Sequence, residues 1–348
     1  MSPTGTSRFQ LVMHCIRTLL LAILVSPPAV GQTVKPPVVG NTASFRFLVA
    51  GHAYGSHEGD NVALHPPLVA ALHSGAFGKI DFIVFTGDVL RRFTRGSFDL
   101  LEEQLKPVGV EYYVASGNHD ASKFGRSALL EKFGALYHQF DVGTSRFIIL
   151  DTQEVSRTVS PDQLAFLREA LEKSPQISAF FVFMHELIWL SEKPEYRKIR
   201  ANGRSRQSKL KASNYWKDVH PLFVKQSPTP VFVIAGDVAG NADAIPAFHD
   251  RVDNVTLIAS GMGEVKEENA LLVAVMGGTP SFELHPMCAE DSKRALDFYS
   301  PTKLNELPSD AFTRTAAGIP SYVFWIGIPV LLLIILAGLT TRRRRLRT

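Results

Sequence analysis

The chain has 348 residues, of which 45% are hydrophobic and 20% are charged, so it can bury one large core or two modest ones. This composition places it in the globular class. The calculated pI of 9.0 and formal charge of +4 would suggest a nucleic-acid partner. Seven arginines lie in the terminal segments 1–31 and 342–348, however, and the remaining residues carry a charge of −3. We therefore expect no nucleic-acid partner.

The first 31 residues have the pattern of a secretory signal peptide. Arg8 and Arg17 precede a short apolar run at residues 19–25, and prolines and small residues follow it up to Gly31. That run has seven residues, whereas a membrane span needs about 20. We predict cleavage near Gly31, and a retained N-terminal anchor is the alternative.

Residues 320–341 have the pattern of a transmembrane helix. Residues 322–339 contain no charge, and the Arg-rich tail 342–348 follows directly. The pattern predicts a single-pass membrane protein with its N-terminal domain in the periplasm or outside the cell and its tail in the cytoplasm. A buried core helix would not end in such a charge cluster. The same features match the three-part sorting tags of bacterial envelope proteins, so removal of the helix is an alternative to permanent anchoring.

The region between the two ends divides into three predicted parts. They are a linker at 32–44, a folded domain at 45–285 and a juxtamembrane segment at 286–319. Of the two cysteines, Cys15 lies in the predicted signal peptide. The mature chain would keep Cys288 alone, and we expect no internal disulfide.

Apolar runs of strand length alternate with helix-like stretches in the predicted domain. The runs lie at 47–50, 82–85, 112–115, 147–150, 180–183, 231–234 and 256–259. One helix-like stretch covers residues 164–173, with Ser160 suited to the N-cap and Pro161 to the first helical position. This alternation predicts a layered α/β domain.

A basic segment at 193–211 interrupts this alternation. It holds eight lysines and arginines against Glu195 alone and has few apolar residues, which predicts a solvent-facing insertion. It is either a solvated loop, or an anion-attracting flap over a site, or a contact for anionic lipid headgroups.

Polar side chains that are costly to bury follow five of the predicted strands. They are His52 and Tyr54, Asp88, Asn118 with His119 and Asp120, His185, and Asp237. Ligands bind at the carboxyl ends of strands in open α/β sheets, so we expect these side chains to converge on one site. Carboxylate, amide and imidazole groups together suit divalent ions such as Mn, Fe, Zn or Mg.

Over residues 45–285 the chain resembles the calcineurin-like metallophosphoesterase family. Thr86-Gly87-Asp88 is similar to the Gly-Asp block of that family, and residues 117–120 are similar to its Gly-Asn-His-Asp/Glu block. His185 matches its lone histidine at a strand end, and residues 140–152 and 256–261 also match. The resemblance implies a layered αββα sandwich and a phosphorylated substrate.

The resemblance also implies site roles. Asp88 would bridge two metal ions, and a metal-bound hydroxide would attack phosphorus in line. His119 would protonate the leaving oxygen or stabilise phosphate charge, and Asp120 would orient the His119 imidazole. A structural histidine that caps a turn is the alternative for His119. The expected ligands of the second metal are Asp88, Asn118, His185 and Asp237.

The first metal position departs from the family pattern. The opening Asp-x-His of the family is His52-Ala53-Tyr54 here, and its closing Gly-His-x-His is the segment 236–239, which ends in Ala239. His52 and Tyr54 could still join Asp88 as ligands, and the segment 57–60 could supply a replacement. Three outcomes stay open: a mononuclear hydrolase, a dinuclear enzyme with unusual ligands, and a catalytically degenerate binding or scaffold protein.

From these patterns we expect a metal-dependent phosphoester hydrolase on the outer side of the cytoplasmic membrane. The predicted tether and the basic segment favour an anionic substrate at the membrane surface. The family fold serves many phosphoesters and does not select one.

Overall fold

The computed structural model describes residues 32–57, 61–172, 176–288 and 291–314. The strands are β1 (Gln32–Thr33), β2 (Ser44–Ala50), β3 (Phe82–Phe85), β4 (Glu111–Val114), β5 (His138–Val142), β6 (Ser145–Ile149), β7 (Ala179–Phe183), β8 (Val231–Ala235), β9 (Ala247–Val252), β10 (Val255–Ser260), β11 (Asn269–Met276) and β12 (Thr279–Pro286). The α-helices are α1 (Pro66–Ser74), α2 (Arg95–Leu105), α3 (Lys123–Phe133), α4 (Pro161–Glu172), α5 (His220–Val224) and α6 (Pro301–Glu306).

The strands form two mixed sheets. One sheet has seven strands in the order β1-β5-β6-β7-β8-β10-β9, and the other has five in the order β12-β11-β2-β3-β4. The central strands β6, β7, β8 and β10 run parallel, as do β2, β3 and β4. Each set of parallel strands therefore presents its carboxyl ends at one edge of its sheet.

Aromatic side chains join the two sheets face to face. The rings of Phe47 and Phe82, from the smaller sheet, lie 5.2 Å and 5.3 Å from the ring of Phe147 in the larger one. Phe47 also meets Phe181 edge-on at 5.4 Å. All four rings are fully buried, so this layer holds the strand ends of both sheets in a fixed relation.

Helices cover the outer faces. Alternate residues of the smaller sheet, such as Leu48 and Ile83, share a second buried cluster with Leu68 of α1 and Leu101 of α2. On the larger sheet, Arg146 of β6 donates a hydrogen bond to the Ala170 carbonyl in α4. The predicted mixed α/β architecture in layers is confirmed.

The strand predictions agree with the structure in position. Each predicted run overlaps an observed strand, and α4 begins at Pro161, where the Gln163 amide donates to the Ser160 hydroxyl at 3.3 Å. β9 and β12 were not predicted, because both lie at sheet edges and carry half-exposed side chains whose apolar pattern is weak. β11 is an apolar run that fits a helix or a strand equally well by pattern.

The chain continues to pack on the main core past residue 285, the predicted end of the domain. Leu296, Tyr299, Leu304 and Phe312 are buried against the main core, so residues 296–312 belong to the folded unit. The predicted linker also contributes β1, which pairs with β5. Cys288 is a free cysteine in the described part of the chain.

The terminal predictions fall on other parts of the chain. The signal peptide, the helix at 320–341 and the Arg-rich tail lie outside the described residues. Within the described ranges, no helix has both the length and the apolarity needed to cross a membrane.

Candidate metal centre

The loops after β2, β3, β4 and β8 surround a cavity of about 110 Å³. Five of the eight predicted site residues line this cavity: His52, Asp88, Asn118, His119 and Asp237. The remaining three, Tyr54, Asp120 and His185, are buried. Both sheets contribute, because His185 follows β7 and Asp237 follows β8 of the larger sheet, whereas Asp88 follows β3 of the smaller one.

The turn that carries Asp88 depends on two glycines. Asp88 has φ of 51° and Gly87 has φ of 84°, so both occupy the left-handed region. A Cβ on Gly87 would lie 2.3 Å from His185 Nδ1, and a Cβ on Gly117 would lie 2.3 Å from Asp88 Oδ1. Both glycines therefore allow the loops to approach closely enough to place the ligands.

Asp88, His185 and Asp237 form a ligand group. Each offers one ligand atom, and these atoms lie within 4.8 Å of one another. His185 Nε2 is 3.4 Å from Asp88 Oδ2 and 3.8 Å from Asp237 Oδ1. Among the described histidines, cysteines and acidic residues this is the one group with that property.

The hydrogen bonds of His185 suit a metal ligand. Its Nδ1 is 2.9 Å from the Thr86 carbonyl, which can only accept, so Nδ1 carries the proton. The Nε2 atom then presents its lone pair to the two carboxylates, and it is buried without a hydrogen-bond partner in the described structure. Two carboxylates and this nitrogen are donors that Mn, Fe, Zn and Mg accept, so the residues fit a divalent ion.

The charges of the group are strongly coupled. Burial alone would lower the pKa of His185, but Asp88 and Asp237 outweigh it and raise that pKa well above its ordinary value. Burial opposes ionisation of Asp88 too, yet His185 and His52 hold the Asp88 pKa below its usual range. Burial raises the pKa of Asp237. A positive charge, from a proton or a metal ion, therefore compensates the buried carboxylates.

The basic segment 193–211 folds against this group through its buried residues, whereas most of its basic side chains face solvent. Its Ser205 hydroxyl donates to Asp237 Oδ2 at 2.5 Å, and the Asn202 amide N–H donates to the Asp237 carbonyl at 3.0 Å. Ser205 also accepts the Leu187 amide N–H at 2.9 Å. The apolar side chains of Tyr196 and Leu210 are fully buried and anchor the segment at both ends.

The altered half of the site is arranged differently. His52 has φ of 47° and its Nδ1–H donates to the Met262 carbonyl at 2.9 Å. Its Nε2 is 3.9 Å from Asp88 Oδ2, and burial lowers the His52 pKa to about 4. Ala239, at the position of the family histidine, has φ of 63°. His52 stays a candidate ligand, but it lies outside the ligand group described above.

Tyr54 faces two histidines. Its hydroxyl is 2.9 Å from His57 Nε2 and 3.4 Å from His119 Nε2. Burial and Asp88 raise the pKa of the phenol, which favours the neutral hydroxyl. A neutral phenol is a poor metal ligand, so the arrangement does not support Tyr54 as one. The proposed replacement segment contributes His57 to the cavity wall, and residues 58–60 lie outside the described ranges.

The structure places the Asp120 carboxylate on backbone N–H groups of two site loops, although the resemblance implied a contact with the His119 imidazole. Its carboxylate accepts the backbone N–H groups of Val89 at 3.1 Å and Gly117 at 3.0 Å, and it accepts a longer bond from Leu90. His119 Nδ1–H instead donates to the Arg91 carbonyl at 2.8 Å. Asp120 ties two site loops together, and a backbone carbonyl orients the imidazole.

Four residues of the basic segment line or support the site and were missed as site residues: Asn202, Gly203, Arg204 and Ser205. They lie in a polar stretch that does not directly follow a predicted strand. No local sequence pattern therefore identified them as site residues. Only the high density of positive charge in that segment hinted at an anion nearby.

We predict that metal affinity rises with pH. A divalent ion replaces the proton on His185, whose pKa is raised, so binding is favoured as that proton becomes easier to lose. Titration calorimetry with Mn²⁺ at pH 6 and pH 8 should show tighter binding at pH 8, by up to about tenfold per pH unit. Equal affinity at both values would contradict a histidine ligand at this position.

We predict that Asp120→Ala lowers the free energy of unfolding by about 2–4 kcal/mol, because buried N–H groups lose their acceptor. Denaturant titration measures this loss. Asp99→Ala, on the exposed face of α2, is the control and should change stability by less than about 0.5 kcal/mol. An Asp120→Ala variant as stable as the natural chain would contradict this role of the carboxylate in joining the two loops.

Comparisons with known proteins agree with this geometry. A curated relative, described as a probable cyclic nucleotide phosphodiesterase of Vesicomyosocius okutanii subsp. Calyptogena okutanii (strain HA), is 31% identical over 99 residues. The match covers 28% of this chain and 41% of that protein, less than half of its length. A family model described as calcineurin-like phosphoesterase matches residues 57–261, more than half of the chain. The chain therefore belongs to the calcineurin-like phosphoesterase family.

Proposed function

We propose that this protein hydrolyses phosphoesters with a single divalent ion held by Asp88, Asn118, His185 and Asp237. The observation that carries the proposal is the buried, unpartnered Nε2 of His185 between two carboxylates. Asn118 lines the same cavity and offers an amide oxygen as the fourth ligand. A divalent ion bound there supplies Lewis-acid activation of water and of the phosphoryl group.

His119 is the proposed general acid. Its Nδ1–H is fixed on the Arg91 carbonyl, so its Nε2 is the atom left for proton transfer at the cavity. The His119 backbone N–H donates to Asp88 Oδ1 at 2.9 Å. This bond fixes the position of residue 119 relative to the metal ligand Asp88. The Tyr54 hydroxyl lies 3.4 Å from His119 Nε2. It can donate a hydrogen bond to Nε2 after that atom has given up its proton.

The substrate proposal is a phosphodiester. The relative named above is described as a probable cyclic nucleotide phosphodiesterase. The match to it covers only a part of each of the two chains. A single metal ion also suits a diester, because a diester carries one negative charge whereas a monoester carries about two near neutral pH. The first substrates to test are therefore cyclic nucleotides and aryl phosphodiesters.

The proposed location is the outer side of the cytoplasmic membrane. The support is the charge and hydropathy pattern of residues 1–31 and 320–348. The proposed mature chain has its linker at 32–44, its catalytic domain from residue 45 and its anchor at 320–341. The intact mass of the protein isolated from membranes tests this: a chain that still contains residues 1–31 would refute export by cleavage, and loss of 320–341 would show processing.

Hydrolysis by the purified full-length protein tests the function. We expect turnover of a nitrophenyl phosphodiester that stops on treatment with a chelator and returns with Mn²⁺. In His185→Asn we expect at least a 100-fold loss of turnover, because a metal ligand and its geometry are altered. A protein that retains its metal but hydrolyses neither monoesters nor diesters would be a binding protein, and the proposal would fail.

A leaving-group series tests His119 as the acid. We predict that His119→Gln slows an alkyl phosphodiester by about 10²- to 10⁴-fold, because an alkoxide needs a proton to depart. The same variant should slow a nitrophenyl diester by less than about tenfold, since nitrophenolate leaves without protonation. His73→Gln, an exposed histidine of α1, serves as the control. Equal losses for both substrates would remove the acid role.

A further inference from the structure

The basic side chains of segment 193–211 differ in their partners and in their distance from the candidate metal centre. Arg200 and Arg206 lie 3.4 Å and 2.5 Å from the carboxylate oxygens of Asp243, which balances them at the protein surface. Lys193 lies over the Trp216 ring at 4.3 Å. Arg204 differs from these because it lines the cavity that Asp88 and Asp237 also line. It brings a permanent positive charge to the candidate metal centre.

Other side chains hold the Arg204 guanidinium in place. Its Nη2 donates to Gln153 Oε1 at 3.3 Å and to Ser156 Oγ at 3.2 Å. Its Nε is 3.5 Å from the carboxylate of Glu186, which is fully buried and directly follows the ligand His185. Gln153 also donates to Glu186 at 2.6 Å, so the acceptors form one connected group.

These contacts leave part of the guanidinium for a ligand. The Arg204 side chain is 38% exposed, whereas its partner Glu186 is fully buried. An arginine that is fixed on one side and open on the other loses little conformational freedom when it binds an anion.

The altered half of the site creates a need for this charge. A family site with two metal ions neutralises the transferring phosphoryl group from two positions, and here Ala239 removes one ligand of the first. His52 is hydrogen-bonded to the Met262 carbonyl and Tyr54 faces His57, so neither offers a permanent cation. Arg204 does, at the wall of the same cavity.

We propose that Arg204 binds the phosphoryl oxygens of the substrate and supplies the positive charge that a second metal ion would give. This inference rests on the proposed phosphoester hydrolysis and assigns a phosphate-binding subsite to it. The planar guanidinium can donate two parallel hydrogen bonds to one phosphoryl group. The guanidinium is oriented before the substrate binds by its contacts with Glu186, Gln153 and Ser156.

Binding of inorganic phosphate to the full-length, Mn²⁺-loaded protein tests the subsite without requiring turnover. By titration calorimetry, Arg204→Gln should bind phosphate about 10- to 100-fold more weakly than the natural chain. Arg206→Gln is the matched control, since it removes the same charge from the same segment but its arginine pairs with Asp243. It should bind phosphate within about twofold of the natural chain.

Two further readouts separate binding from folding. Metal content should stay unchanged in Arg204→Gln, and its thermal midpoint should fall because the buried Glu186 loses its cationic partner. KM for the nitrophenyl diester should rise by about the same factor as the dissociation constant for phosphate. Should Arg204→Gln fail to fold, Arg204→Lys takes its place. That variant keeps the positive charge but loses the planar guanidinium with its two parallel N–H donors. It should bind phosphate about five- to tenfold more weakly than the natural chain.

The outcomes distinguish this inference from the proposed function. Unchanged phosphate affinity and unchanged KM in a folded, metal-loaded Arg204 variant would overturn the subsite, whatever the turnover of the natural chain. A natural chain that hydrolyses nothing, yet binds phosphate in a manner that depends on Arg204, would overturn the proposed hydrolysis and support the subsite.

Discussion

Two buried carboxylates on either side of one imidazole form the interaction on which the site depends. Asp88 and Asp237 come from different sheets, and His185 Nε2 lies 3.4 Å and 3.8 Å from their oxygens. Burial of such charges without compensation costs several kcal/mol, so the group requires a proton or a divalent ion at its centre. The aromatic layer around Phe147 keeps the two sheets, and therefore the two carboxylates, at this separation.

Much of this centre could be predicted from the sequence because its ligands follow apolar strands directly. Asp88, His185 and Asp237 each come two or three residues after a buried strand, and parallel strand ends meet at one edge of a sheet. The hydrogen-bond partners could not be predicted in the same way. Ser205 reaches Asp237 from a polar segment whose path is fixed by long-range packing. The Asp120 carboxylate binds backbone N–H groups, which leave no mark in a sequence.

Most departures from the family pattern fall at the first metal position. Asp88 and His185 keep their family identities and Asp237 replaces a histidine with another metal-binding group, whereas Ala239 removes a ligand. Arg204 lines the same cavity and is held by a buried carboxylate next to His185. A site with one metal ion and one arginine keeps two cationic groups around a phosphoryl group, which connects the altered motif with the basic segment.

The number of metal ions per chain tests this account most directly. The full-length protein, loaded with Mn²⁺ and freed of excess metal, can be measured by native mass spectrometry and by elemental analysis. The account predicts one ion per natural chain and none in His185→Asn. Two ions per chain would contradict the single-metal site, and no ion in the natural chain would contradict the metal centre itself.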